Sequence, residues 1–281
     1  MSDLMQGVPP RQNEAAPLAR ARHRLLRRLA AHWESSLLVV LLLAVWQLST
    51  SLFGVPAYLV PSPETVLATL LQRWSSIAEN GIVTLLVTVV SFLAAILLGV
   101  GSAVLICSFR AVERLVLPLI VFSQVVPKVA IAPLLVIWLG FSIKSRVIVA
   151  FLVCFFPIVV ATVSGLKSVE AELVHLSRQL RASQWQTFWM VGLPSALPQM
   201  FAGFKVAITL AVVGAIVAEF VGADSGLGYL LLVANGNFDV PLAFSVLVVL
   251  TLMGVALYGA IELIERLALP WHVSRRMDVY G

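Results

Sequence analysis

Charge is what this sequence lacks most. Of its 281 residues 12% are charged and 60% are hydrophobic, and the mean hydropathy is +1.00. A soluble domain carries about 25% charged residues, so a chain this poor in them reads as a polytopic membrane protein. Cysteine is scarce as well. Cys107 and Cys154 stand singly in apolar stretches, which excludes a disulfide framework and a Cys/His metal site and leaves two packing thiols. No G-x-x-x-x-G-K-[ST] loop is present; GLKS at Gly165–Ser168 is the nearest string and lacks the phosphate-cradling turn. There is no G-x-S-x-G elbow and no carboxylate pair placed for acid–base work. The expectation is a non-enzyme that binds no metal, no cofactor and no nucleic acid. No internal repeat is visible, and the N-terminus lacks the cleavage pattern of a signal peptide.

What is present is a series of apolar runs long enough to span. A spanning helix needs about 20 mostly apolar residues, and six such runs are expected: Ser36–Phe53, Ile82–Ile106, Leu115–Leu139, Val147–Val163, Phe201–Val221 and Leu242–Ile264. The fold class is therefore all-α and polytopic. Residues 1–35 form a basic arm, residues 36–272 a single transmembrane domain, and residues 273–281 a tail. Of the 19 Lys and Arg, all but Arg73, Lys144, Arg146 and the intramembrane Lys128 fall on the side of the N-terminus. The positive-inside rule then places both termini in the cytoplasm. The arm, with Arg20, Arg22, Arg24, Arg27 and Arg28, also suits anionic lipid headgroups. Outside, PSPETVLATLLQRW predicts a proline-started surface helix, and Gly222–Pro241 is glycine-rich at its start and turn-like at Asn235–Asp239. Gly99, Gly101, Gly254 and Gly259 are expected to allow close helix packing. Trp271 and His272 read as an interfacial anchor.

The inner loop 167–200 is polar but patterned. Val169, Leu173, Leu176 and Leu180 recur at helical spacing, with Glu170 and Glu172 early and Arg178 and Arg181 late, as the helix dipole favours. Ser183-Gln-Trp-Gln186 fits a capping box that starts a second helix. Trp185, Phe188 and Trp189 give that helix an apolar patch, and Leu193-Pro194 is expected to close it. Such a hairpin suits either an amphipathic element at the lipid headgroups or a docking knob for a cytosolic protein; spacing alone leaves both open.

The segment resembles the coupling loop of ATP-binding-cassette importer permeases, whose signature is Glu-Ala-Ala, a glycine four residues on, and later a hydrophobic-x-Leu-Pro. His175-Leu176-Ser177 stand for Glu-Ala-Ala and Arg181 for the glycine; Ala182, Ser183 and then Val191-Gly192-Leu193-Pro194 follow. PSPETV, APLLVIWLGF and VAEFVGADSGLGYLL are similar to the nitrate/sulfonate/taurine type, in order from about Pro61 to His272. The resemblance implies a multi-pass protein of the bacterial cytoplasmic (inner) membrane, working as a homodimer with two ATP-binding cytosolic subunits. It also implies a periplasmic or lipid-tethered binding protein. ATP and Mg are then used by the ATPase and not by this chain. Loss of the glutamate and glycine puts the usual docking contacts in doubt.

Lys128, in SQVVPKVAIAPLL, is the charge expected deepest in a span, and such charges generally face a bundle interior or water. It is a path candidate together with Ser123 and Gln124, which stands one helical turn before it. Snorkelling and ordinary interhelical hydrogen bonding are the plainer alternatives. Glu219 and Asp224 are candidates for the outer gate or the binding-protein contact, Glu219 equally for a carboxylate in interfacial water. PKVAIAPL resembles members serving thiamine-pyrimidine precursors or riboflavin-like compounds; nitrate, sulfonate or taurine also fits a lysine in the path. The rival class is an ion-gradient-driven secondary transporter built on Lys128.

Overall fold

The structure, a computed structural model, describes residues 37–271, apart from the side chains of Arg110 and Gln124. The basic arm, Ser36, His272 and the tail lie outside the described residues. The described residues divide into two compact units between 64 and 65. The first contributes one apolar helix of 16 residues, α1 (Leu37–Leu52). Helix α2 (Pro63–Gln72) straddles the junction and begins on proline, as its sequence predicts.

The second unit is a helical bundle with no strand among the described residues. Its long members are α3 (Trp74–Ser108), α6 (Ile143–Lys167), α9 (Leu193–Phe220) and α11 (Val240–Ala268). Each is long and apolar enough to cross a membrane, and a fifth crossing is made if the bent pair α4 (Arg110–Val125) and α5 (Lys128–Leu139) counts as one. In lipid the backbone must satisfy its own hydrogen bonds, so these runs settle as helices despite prolines at 118, 133, 157 and 198. Two short helices, α7 (Ala171–Gln179) and α8 (Gln184–Thr187), precede α9, and α10 (Leu227–Gly236) lies between α9 and α11. α10 departs from the expectation of a glycine-rich loop across 222–241. The turn at its end is present, with Phe238 at φ +56° and Asp239 capping α11 through Leu242 N–H.

The expected third span is not continuous. Pro127 has no N–H and pushes Val126 into extended geometry, φ −66° and ψ 123°, so the helix ends there and restarts at Lys128 after a 94° bend. Gln124 and Lys128 therefore do not share one helix face.

The core forms where α6 and α9, the most extensive helix pair, approach closely. A Cβ on Gly203 would run into Ala161, one on Gly214 would lie 2.8 Å from the Ala150 Cα, and one on Gly165 would lie 2.8 Å from the Ala196 carbonyl. Small residues at such crossings are how apolar helices bind each other in a medium as apolar as themselves. Of the four glycines expected to pack, only Gly99 does, against Ile158; Gly101, Gly254 and Gly259 face open space. When a helix is apolar on all sides, sequence does not say which glycine faces inward. Phe92, Phe201 and Phe204 fill the remaining space with edge-to-face contacts.

One charge pair crosses this core. The Lys205 ammonium of α9 meets the carboxylate of Glu265, in the last turn of α11, the side chains being 12% and 9% exposed. Removing one partner of a buried pair leaves an uncompensated charge, at a cost of about 3–5 kcal/mol, whereas an apolar replacement of both is often neutral. Lys205→Met alone should strongly lower the melting temperature in detergent. Lys205→Met with Glu265→Leu should restore it to within a few degrees. A double variant as unstable as the single one contradicts this assignment.

Candidate functional site

The inner loop folds as two helices, and its turn explains what the sequence replaces. Helix α7 ends in a Schellman motif: Arg181 N–H donates to the Arg178 carbonyl at 2.9 Å and Ala182 N–H to the Ser177 carbonyl at 3.0 Å. The first of these two donors must be left-handed, and Arg181 is, at φ +58°. A side chain there costs about 1–2 kcal/mol that glycine avoids. Ser183 then caps α8 in a complete capping box: its hydroxyl accepts from Gln186 N–H at 3.2 Å, and Gln186 Oε1 accepts from Ser183 N–H at 2.8 Å. The Thr187 hydroxyl donates to Ser177 Oγ at 3.1 Å, closing α8 on α7.

Leu193-Pro194 does not end the second helix. From Phe188 to Gly192 the ladder widens to a π-helical turn, and Leu193 N–H reaches back five residues to the Phe188 carbonyl. The wider turn gives the Pro194 ring room that a regular turn denies it, so α8 runs on into α9. Gln184–Phe220 is thus one 37-residue helical path, about 55 Å long at 1.5 Å per residue. Its exposed end carries Trp185, stacked on Phe188 and edge-on to Trp189. Leu176, Leu180, Trp185, Trp189 and Met190 are exposed, His175 and Arg181 stand among them, and Ser177 is buried in the turn. Ala182, Leu193 and Pro194 are half-buried. The hairpin thus leaves these apolar side chains exposed around the stacked aromatics of α8.

At the α4–α5 break a cavity of about 210 Å³ opens, lined by Ser123, Lys128, Ile131, Leu135, Leu152 and Phe156. The Lys128 ammonium lies over the Phe156 ring at 4.9 Å from its centroid. Ser123 and Lys128 are thus brought together, although its hydroxyl donates to the Ile120 carbonyl. The side chain of Gln124 is outside those described.

At the end of the bundle opposite the hairpin, Glu219 is 1% exposed, so it is not a carboxylate in interfacial water. Thr84 of α3 donates its hydroxyl to Glu219 at 2.8 Å, and Gly228 N–H donates to the other oxygen at 2.6 Å. Gly226 N–H donates to Asn80 Oδ1 and Leu227 N–H to Thr84 Oγ1. Arg146 of α6, itself buried, donates to the Ser225 carbonyl and, at 2.7 Å, to Asp224. Asp224 is otherwise open to solvent, its side chain 89% exposed. Sequence reasoning named Glu219 and Asp224 but missed Asn80, Thr84 and Arg146, whose only signal was a polar residue on the flank of an apolar run.

A family model described as binding-protein-dependent transport system inner membrane component matches residues 95–269, from mid-α3 to the end of α11. The chain belongs to this family. It is the permease subunit of a transport system, a multi-pass component of the inner membrane. Its sequence is 37% identical to the formylaminopyrimidine transport permease protein of Halalkalibacterium halodurans, over 85% of this chain and 95% of that one. It is 36% identical to the riboflavin transport system permease protein of Chloroflexus aurantiacus, over 84% and 89%. In fold the permease is similar to a chain of the MetNI methionine ABC transporter in inward-facing conformations, with a TM-score of 0.59, 19% identity, and coverage of 69% of this chain and 97% of that one. Membership in an ABC permease family displaces the ion-gradient alternative.

Two outcomes test this geometry. Arg181→Gly should raise the stability of the permease by about 1 kcal/mol, read as a higher denaturant midpoint; a fall would mean that the arginine side chain contributes more than its backbone strain costs. The Arg146 guanidinium holds the Asp224 carboxyl below its ordinary value of 3.8. A carboxyl depressed in the folded state contributes stability above its unfolded value and loses it as pH falls through the folded one. The melting-temperature gap between the native permease and Asp224→Asn should therefore be present at neutral pH and close as pH drops below about 4. A gap independent of pH contradicts the pairing.

Proposed function

We propose that this permease works in the bacterial cytoplasmic membrane as one of two identical copies, docked through residues 167–200 to two cytosolic ATPase subunits. The hairpin end and both termini face the cytoplasm, and the Glu219 end faces outward. A periplasmic or lipid-tethered binding protein delivers solute to that outer end, where Asp224 stands exposed. ATP binding closes the ATPase pair, the hairpins move with it, and the bundle changes between inward- and outward-facing states; hydrolysis resets it. Each ligand then favours one state, as a rigid-body switch requires. This chain supplies no ATP chemistry.

The observation that carries the reading is the capped hairpin with an exposed apolar face on a helix that continues into α9. A rigid connection of that kind carries a displacement of the hairpin into the bundle, which is what docking to a moving partner requires. The relatives at 36–37% identity support a thiamine-pyrimidine precursor or riboflavin-like solute over nitrate, a sulfonate or taurine. The Lys128 cavity lies on the path in this reading, its cation and aromatic face suited to an electron-rich or anionic ring.

Leu176→Asp with Ala182→Asp should abolish co-purification of the ATPase while the protein still inserts in the membrane; a retained complex contradicts docking through the hairpin. Lys128→Cys should react with a polar thiol reagent in at least one nucleotide state. A thiol unreactive in every state removes Lys128 from the path.

A further inference from the structure

The start of α10 is capped from outside itself. A helix presents free N–H groups at its first turn, and a local Ser, Thr, Asp or Asn ordinarily accepts from one of them. Here the residue ahead of the helix is Gly226, at φ +113°, which has no side chain to offer. Three consecutive N–H groups instead reach other helices. Gly226 donates to Asn80 Oδ1 at 2.8 Å, Leu227 to Thr84 Oγ1 at 2.7 Å and Gly228 to Glu219 Oε2 at 2.6 Å. The Thr84 proton goes on to Glu219 Oε1, so one carboxylate completes the cap that α3 begins.

The fit is close as well as polar. A Cβ on Gly226 would overlap the Glu219 carboxylate, and one on Gly228 would lie 2.9 Å from the Glu219 Cβ and from the Ile216 carbonyl. The nearby cation does not neutralise the carboxylate directly, because Arg146 donates to Ser225 and Asp224. If α9 shifts alone, Gly228 N–H loses its acceptor in a buried place, an outcome that folded proteins avoid, and the Thr84 hydroxyl is left with the Asn80 carbonyl at 3.3 Å. The start of α10 is therefore held to α9 through Glu219 as well as to α3 through Asn80 and Thr84. Glu219 stands 35 residues along the same helical path from Gln184, about 52 Å from the hairpin.

We propose that Glu219 is a positioning residue of the transport cycle, fastening the start of α10 to α9 so that displacement of the hairpin reaches the opposite mouth of the permease. It acts through Gly228 and Thr84 rather than on the solute. The proposal rests on the reading that the hairpin docks an ATPase.

The test uses the complete transporter, permease with ATPase and binding protein, in proteoliposomes. Glu219→Gln keeps the size and one acceptor but loses the charge, and Gly228→Ala pushes the cap off an unchanged carboxylate. Each variant should still assemble, Glu219→Gln with a melting temperature near that of the native complex and Gly228→Ala with a lower one, because its Cβ meets the Ile216 carbonyl. In each, the binding protein's stimulation of ATP hydrolysis should fall about fivefold or more, with basal hydrolysis retained and less solute imported per ATP. Assembled variants with native stimulation and uptake overturn the proposal. Loss of assembly by both variants, with the native complex intact, overturns it too and leaves a purely structural cap. Failure of the underlying reading looks different: the native permease itself would carry no ATPase.

Discussion

One hydrogen-bonded helical path, from Gln184 to Phe220, joins the two ends of this permease, and the other features are arranged along it. At one end it begins in a capping box and an exposed aromatic surface. In the middle it is packed against α6 through Gly203 and Gly214 and against α11 through Lys205 and Glu265. At the other end it carries Glu219 into the cap of α10. The wide turn at 188–192 is what keeps the path unbroken past Pro194. Had that proline ended the helix, the hairpin would be a separate body tethered by a loop, and its movements would be absorbed there.

Much of this was legible in the sequence, for a physical reason. Lipid and polar caps impose strong local rules, and those rules show in short strings. The apolar runs mark α3, α6, α9 and α11, and Ser183 with Gln186 marks the start of α8. Pro63 marks α2. What the sequence understated were lengths: α3 begins at Trp74 and α9 at Leu193, because polar residues at a helix end are tolerated once it leaves the bilayer core.

The parts that were not legible depend on contacts between distant segments. Leu193-Pro194 looks like a stop, since a proline's effect on its predecessor is local while the π turn that relieves it is not. Pro127 and Pro133 both sit in one apolar run, yet only Pro127 breaks it, at Val126. A stretch of glycines before α10 resembles a loop because its capping groups, Asn80, Thr84 and Glu219, lie far away in sequence. The glycines that matter, at 165, 203 and 214, cannot be told by composition from those at 101, 254 and 259.

The account stands or falls on whether the path from α8 through α9 moves as one piece. Spin labels at the exposed Gln184 of α8 and at Phe220 of one copy, which bracket the π turn and lie about 54 Å apart along the helix, would be measured by pulsed electron resonance in the reconstituted complex, without nucleotide and with ATP trapped. A third label at the exposed Leu105 of α3 would report motion of the hairpin end against the bundle. The expected result is a Gln184–Phe220 distance that stays constant and narrowly distributed while the Gln184–Leu105 distance changes. A Gln184–Phe220 distance that shortens or broadens with nucleotide would mean that the helix bends at the π turn, and would contradict it.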